Sequence, residues 1–228
     1  MKFKPSFAFD ELSGKAGSVV AVNNKKNPFL RPRIKPTNPN TSSQQGVRAD
    51  LALLASAWGS LTDLQRQSWE KAVSDYQNTG IFGNRRNPSG FNLYMKLNGN
   101  LLDANAATIS VPAPKVEVAL VGLDAVASGV ANSKVDVVFV EVAVPANTRY
   151  IIRAAALKPV GRKVVKGDFR NVKVVNAAAD PSGNIFAEYT AKFGSLIAGM
   201  RLAVEVVAVS TITGQKGQAV SSQTVVVA

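Results

Sequence analysis

"TNPNTSSQQGVRADLALLASAWGSLTDLQRQSWEKA", residues 37–72, is the stretch whose reading decides the fold. Asn40 or Thr41 is placed to cap a helix expected over about 42–60, in which Val47, Leu51, Leu54, Trp58 and Leu61 recur at helical spacing. After a Gly-Ser break, Thr62 with Gln65 three residues on forms a capping box. Leu64, Trp69, Ala72, Val73 and Tyr76 then supply a second apolar face, so the two helices are expected to pair as a hairpin. A third helix is expected over 87–102, capped by Ser89, with Phe91, Met95 and Leu102 available for burial. Trp58 and Trp69 fall on the apolar stripes and read as core residues.

Working upstream, Pro28, Pro32, Pro36 and Pro39 forbid a continuous helix and deprive a central strand of donors. "SVVAV" (18–22) has strand character, and "NNKKNP" is a turn. Arg31 and Arg33, two apart, project from one side of an extended chain. Residues 1–40 therefore read as a basic extended arm, and 41–107 as a helical unit. Charge follows the same division. Of the formal +12 of the 228 residues, +7 lies in residues 1–48, zero in 49–110 and +5 in 111–228. An excess concentrated in the first fifth of the chain points to a negatively charged partner for that part: nucleic acid, an acidic protein face or an anionic surface.

Downstream of the linker "VPAPK" (111–115) the texture changes. "KVDVVFVEVAV", "TRYIIRAAAL", "RNVKVVNAAA", "NIFAEYTAKF", "GMRLAVEVVAVSTI" and "SQTVVVA" are rich in β-branched residues, roughly alternating, with turn chemistry in "DPSGN" and "TGQKG". Six or seven strands in this length give an immunoglobulin-like or fibronectin-like sandwich over 113–228. The fold class expected is α+β: an extended arm, a three-helix unit and an all-β sandwich.

The chain has no cysteine and no histidine. Disulfides, thiol nucleophiles, Cys/His zinc sites and imidazole acid–base chemistry therefore fall away together. No phosphate-binding glycine loop is present, and the carboxylates are scattered rather than clustered. The expectation is a non-enzymatic protein with no catalytic residue, no metal and no cofactor. No window approaches the roughly 18–20 apolar residues of a membrane span, and the N-terminus lacks the apolar run of a signal peptide. A soluble protein of the cell interior is expected.

"LSGKAGSVV", "RPRIKP", the 37–72 stretch and "GFNLYMKLN" together resemble a group of phage and prophage proteins with a Ser-Gly-Lys-x-Gly opening, an Arg-rich strand and an Asn-Pro-x-Thr-x-x-Gln-x-x-x-Arg join to a helical hairpin. The matching positions are Ser13, Gly14, Lys15 and Gly17, then Asn38, Pro39, Thr41, Gln44 and Arg48, and the likeness covers roughly residues 10–100. The resemblance implies a virion structural or assembly protein, multimeric in the particle, assembled in the host cytoplasm and contacting coat, portal or tail proteins. In this reading Lys15, Lys25, Lys26, Arg31, Arg33, Lys35 and Arg48 dock on an acidic coat surface or on packaged nucleic acid, while Asn38, Pro39, Thr41 and Gln44 form the arm–helix join. The alternative is a soluble nucleic-acid-binding protein that uses the same arm. An adhesin acting through the sandwich loops is a third reading, weakened because "DPSGN" and "TGQKG" carry no aromatic platform.

Overall fold

A computed structural model describes residues 12–23, 28–34, 37–79, 83, 85–130, 134–157 and 166–227. Its helices and antiparallel sheets make the chain α+β. The first sheet is a three-stranded meander of β1 (Gly14–Ala16), β2 (Val19–Val22) and β3 (Phe29–Pro32), in spatial order β1-β2-β3. Gly17 opens the two-residue β1–β2 loop at φ 58°, a conformation that the primed hairpin turns require and glycine adopts without strain. Pro32 is accommodated because β3 is an edge strand. Where an extended arm is expected, residues 14–22 and 29–32 pair as this meander. These strands make no substantial contact with any other described element.

The helical unit comprises α1 (Ser42–Ser60), α2 (Asp63–Ala72) and α3 (Gly90–Asp103). Each N-terminus is capped as its sequence demands: Thr41 and Gln44 reciprocally, Thr62 and Gln65 reciprocally, and Ser89 Oγ accepting from the Asn92 N–H. The expected hairpin is replaced by a different arrangement, in which α1 and α2 both pack chiefly on α3. The reason lies in α3, whose buried residues Leu93, Tyr94 and Leu97 share one apolar cluster with Leu54 of α1 and Trp69 of α2. Phe91, expected inside, is 37% exposed, and Met95 and Leu102 are only partly buried. Trp69 is fully buried and stacks edge-on against Tyr94 at 5.3 Å, while Trp58 is half-buried between Phe91 and Tyr94. Leu64 stands 79% exposed at the start of α2, off the expected face.

After α3, the short ladder of β4 (Asn78–Thr79) with β5 (Arg85–Arg86) having preceded it, the chain builds two further sheets. They contain β6 (Leu123–Gly129), β7 (Lys134–Phe139), β8 (Thr148–Leu157), β9 (Arg170–Val175), β10 (Gly183–Asn184), β11 (Arg201–Ser210) and β12 (Val220–Val225). Their orders are β10-β7-β6 and β12-β11-β8-β9, every pairing antiparallel. A parallel bridge between Gly129 and Val227 joins the edges of the two. Val135, Val137 and Phe139 of one sheet share a core with Tyr150, Ile152, Leu202, Val204 and Val206 of the other.

One expected strand is a helix. "NIFAEYTAKF" contains α4 (Phe186–Phe193), because Phe186, Tyr189 and Phe193 recur at three and four residues, a helical period. Glu188 in its first turn and Lys192 in its last complement the helix dipole, and Gly194 at φ 80° ends it. Strand β6, "LDAVASG", was not expected at all. Its small residues carry little β signal, and it is held mainly by its neighbour β7.

The central pair β8 and β11 is buried on both faces, which explains why its sequences read as near-continuous apolar runs. On the face away from the shared core, Ala104 at the end of α3 covers Ile151 and Val209, and Phe169 packs near Ala155, Leu157 and Ala203. Between these two patches sits one polar row. Glu205 accepts from Arg153 Nη1 at 3.4 Å, and Arg153 Nε donates to Asn171 Oδ1 at 2.9 Å.

Candidate functional site

The register of the meander sorts its side chains by face. Lys15, Val20 and Arg31 are directly opposite one another, and Val22 opposes Phe29 in the adjacent row of the same face. Arg33 extends that face: its N–H donates to the Ser18 carbonyl at 2.7 Å, continuing the ladder beyond Pro32. The opposite face holds Gly14, Ala16, Val19, Ala21, Leu30 and Pro32, without a charge. Three predicted docking cations thus converge on one side of a small sheet, beside one aromatic ring. All three are exposed, and among the described residues none is ion-paired to a carboxylate. Lys25, Lys26 and Lys35 lie outside the described residues.

Arg48 has a different situation from the other cations. From the second turn of α1, its Nη2 donates to Asn38 Oδ1 at 2.9 Å and its Nη1 to Asn40 Oδ1 at 3.1 Å. Asn40 has φ 49°, a left-handed conformation that asparagine tolerates better than most residues. Its carbonyl also accepts from Gln45 Nε2 at 3.3 Å. The guanidinium fork therefore clasps the chain just before the helix, and the Thr41–Gln44 box closes the first turn from the other side. Pro39 biases the residue before it toward extended backbone. Four of the five motif positions, Asn38, Thr41, Gln44 and Arg48, are hydrogen-bonded into one exposed join.

Beyond the join, the first twelve residues of α1 (42–53) are exposed on all sides. Val47 is 65% exposed and Leu51 58%, although both continue the stripe on which Leu54 is buried. The expected apolar face is thus half used.

The rest of the molecule is locked. Gly214, at φ 69°, lies so close to α3 that a Cβ there would come within 2.4 Å of the Leu97 carbonyl oxygen. Its own carbonyl accepts from Asn100 Nδ2 at 2.8 Å. Gln215 is buried between the units: its Nε2 donates to the Tyr76 hydroxyl at 3.0 Å and its Oε1 accepts from the Val116 N–H at 3.0 Å. Burial pushes the Tyr76 phenol up, an effect that the Gln215 bond opposes. Lys216 pairs with Asp103 at 2.8 Å, and Arg149 donates to the Ala104 and Asn105 carbonyls at the end of α3. The "TGQKG" loop is therefore a wedge between helices and sheets. The linker is tied as well, with Trp69 Nε1 donating to the Ser110 carbonyl at 2.8 Å and Asn98 bonded to both polar groups of the Ile109 backbone.

Beside this wedge a groove of about 900 Å³ is lined by Tyr76, Lys96, Asn100, Lys115 and Lys216. Among the described residues no helix is long and apolar enough to cross a membrane, and no three acidic residues gather as metal ligands. Compared with protein-family models, with curated proteins and with solved structures, the chain matches none.

Proposed function

We propose that this chain is a non-enzymatic structural protein of a bacteriophage particle, an auxiliary capsid or portal–tail component, anchored by its N-terminal arm and helices. The observation that carries the reading is uneven closure. The described residues from 54 to 227 form a body whose helices and sheets are wedged together, whereas the meander and the front of α1 turn basic and apolar surface outward. Surfaces of that kind, on a strand array and a helix clasped at a set angle, suit docking on neighbouring subunits. The resemblance of the Ser-Gly-Lys-x-Gly and Asn-Pro-x-Thr motifs to phage proteins points the same way.

The β domain is read as an immunoglobulin-like module that decorates or bridges. With the seven strands lettered A, B, C, C′, E, F and G, the letter D being omitted, the two sheets group as E-B-A and G-F-C-C′, which resembles the two layers of such sandwiches apart from the missing D strand. Fold alone does not assign its role. The test is particle composition. Mass spectrometry of purified particles is expected to find the chain at fixed stoichiometry. Deleting residues 1–40 is expected to abolish incorporation while the β domain stays folded; normal incorporation of the truncated chain overturns the proposal.

One observation favours a second reading, a nucleic-acid-binding protein: Lys15, Arg31 and Arg33 share their face with Phe29, the pairing of cations and an aromatic that backbone contact and base stacking use. In that case affinity for DNA falls steeply with salt through counterion release. Binding that barely changes from low to physiological salt removes this reading.

A further inference from the structure

We propose that the groove beside the wedge takes an extended acidic peptide, which adds as a strand along residues 117–121 while its carboxylates meet Lys96 and Lys115. The inference does not depend on the particle reading. Ahead of β6 the chain runs in parallel step with the stretch leading into β12. The Val116 N–H meets Gln215 Oε1 at 3.0 Å, a Cβ on Gly217 would come within 3.2 Å of Val118 Cγ1, and further on Gly129 bridges Val227. A chain that keeps this step is extended, yet residues 116–122 belong to no strand ladder. From Glu117 to Val121 no backbone N–H or C=O has a hydrogen-bond partner among the described residues. Such a row is a template on which a further strand pairs, and residues 115–120 form one wall of the groove.

Charge and lining select the occupant. Lys216 is paired with Asp103, but Lys115 donates to the Asp75 carbonyl at 3.2 Å and, like the exposed Lys96, meets no carboxylate among the described residues. Glu117 is the only carboxylate among the lining residues. The uncompensated charge draws carboxylates into the groove and turns basic segments away. Val116 and Leu120, both more than half exposed, add apolar surface that the other side chains of a strand can cover. A nucleic acid finds less here. Tyr76, the one aromatic ring in the lining, is buried, has Lys115 5.8 Å from its centroid and has its hydroxyl bonded to Gln215, so it offers no open face for a base.

The probe is a fluorescein-labelled peptide of alternating Glu and Val, blocked at both ends, titrated with the full chain and followed by anisotropy. Saturable binding is expected, at least tenfold tighter than for the same peptide with Lys in place of Glu. Lys96→Glu is expected to weaken it at least tenfold, and Arg201→Glu, the same change of charge at the far end of β11, by less than threefold. A strand turns only every second N–H toward a given neighbour. Of two peptides N-methylated at alternate residues, in the two possible phases, one is therefore expected to lose at least tenfold and the other to bind nearly as well as the parent. No saturable binding, equal loss in the two variants, or equal binding of the two methylated peptides would each overturn the proposal. An oligodeoxynucleotide of equal charge that displaces the peptide would show a general polyanion site and overturn it too.

Discussion

The front of the molecule and its body are built from similar materials but differ in what satisfies them. In the body, α3 is buried along one ridge, β8 and β11 are covered on both faces, and even a loop glycine is pressed against a helix. At the front, a three-stranded sheet makes no substantial contact with other described elements, and a well-capped helix is exposed along its first twelve residues. Both parts have good local signals: caps, tight turns, regular strands. Tertiary burial separates them, and it is the main source of helical and sheet stability in water. The front is thus specified locally, with most of its described surface exposed.

That contrast is open to attack at several points. The largest effect is expected from Gly214→Ala, which places a Cβ against the Leu97 carbonyl at a backbone angle hostile to side chains. A loss of about 3 kcal/mol or more follows, and calorimetry should show the melting temperature lowered by roughly 10 °C. An unchanged melting temperature would mean that the wedge does not bind the two units.

High pH probes the body's interior. Tyr189 is fully buried, its hydroxyl has no hydrogen-bond partner among the described residues, and burial raises its pKa to about 12. Below pH 10 the phenol is protonated folded and unfolded alike. Between pH 10 and 12 only the unfolded form ionises readily, so stability falls by about 2–3 kcal/mol across that window. Tyr189→Phe is expected to remove this part of the slope in denaturant titrations, with no loss at neutral pH. An identical slope in the variant would reject the assignment.

Gln215→Ala strands the Tyr76 hydroxyl and the Val116 N–H, and is expected to cost about 2 kcal/mol by chemical denaturation. At the front the effects are smaller and local. Arg48→Ala opens the clasp and should speed amide exchange in residues 42–48 severalfold, while global stability drops by less than about 1 kcal/mol. A global loss equal to that of Gln215→Ala would dissolve the distinction between the two regions.

The caps were the most legible part of this chain. Thr62 with Gln65 and Ser89 follow from local hydrogen-bond geometry, and they sit where their residues say. Strands β8, β9, β11 and β12 were legible too, since β-branched residues recur along each. Which face a helix buries was less so: Leu64 and Leu93 carry equal weight in a pattern, and only the position of α3 decides between them. The α4 segment reads as a strand because "NIFAEYTAKF" has aromatics that suit one, whereas the three-and-four spacing of Phe186, Tyr189 and Phe193 is that of a helix. At the site, the pairing of Arg31 with Arg33 on one side was visible, but Lys15 joins them only through the register across β2. Arg48 looked like one more docking charge. Its spacing of eight and ten residues from Asn40 and Asn38 gives no sign of a contact until a helix turn brings them together.

The wedge also imposes an order of events during synthesis. Its two halves, at Asn100 and Gly214, are 114 positions apart, so it cannot close until Gly214 has left the ribosome. The meander and α1 are made before that closure. A chain interrupted before Gly214 therefore carries the whole anchoring part on an unfinished body, and under the proposed function it competes with intact chains for the same place. Co-expressing residues 1–110 with the full chain is expected to lower the number of intact copies per particle; an unchanged number would show that anchoring waits for the closed body.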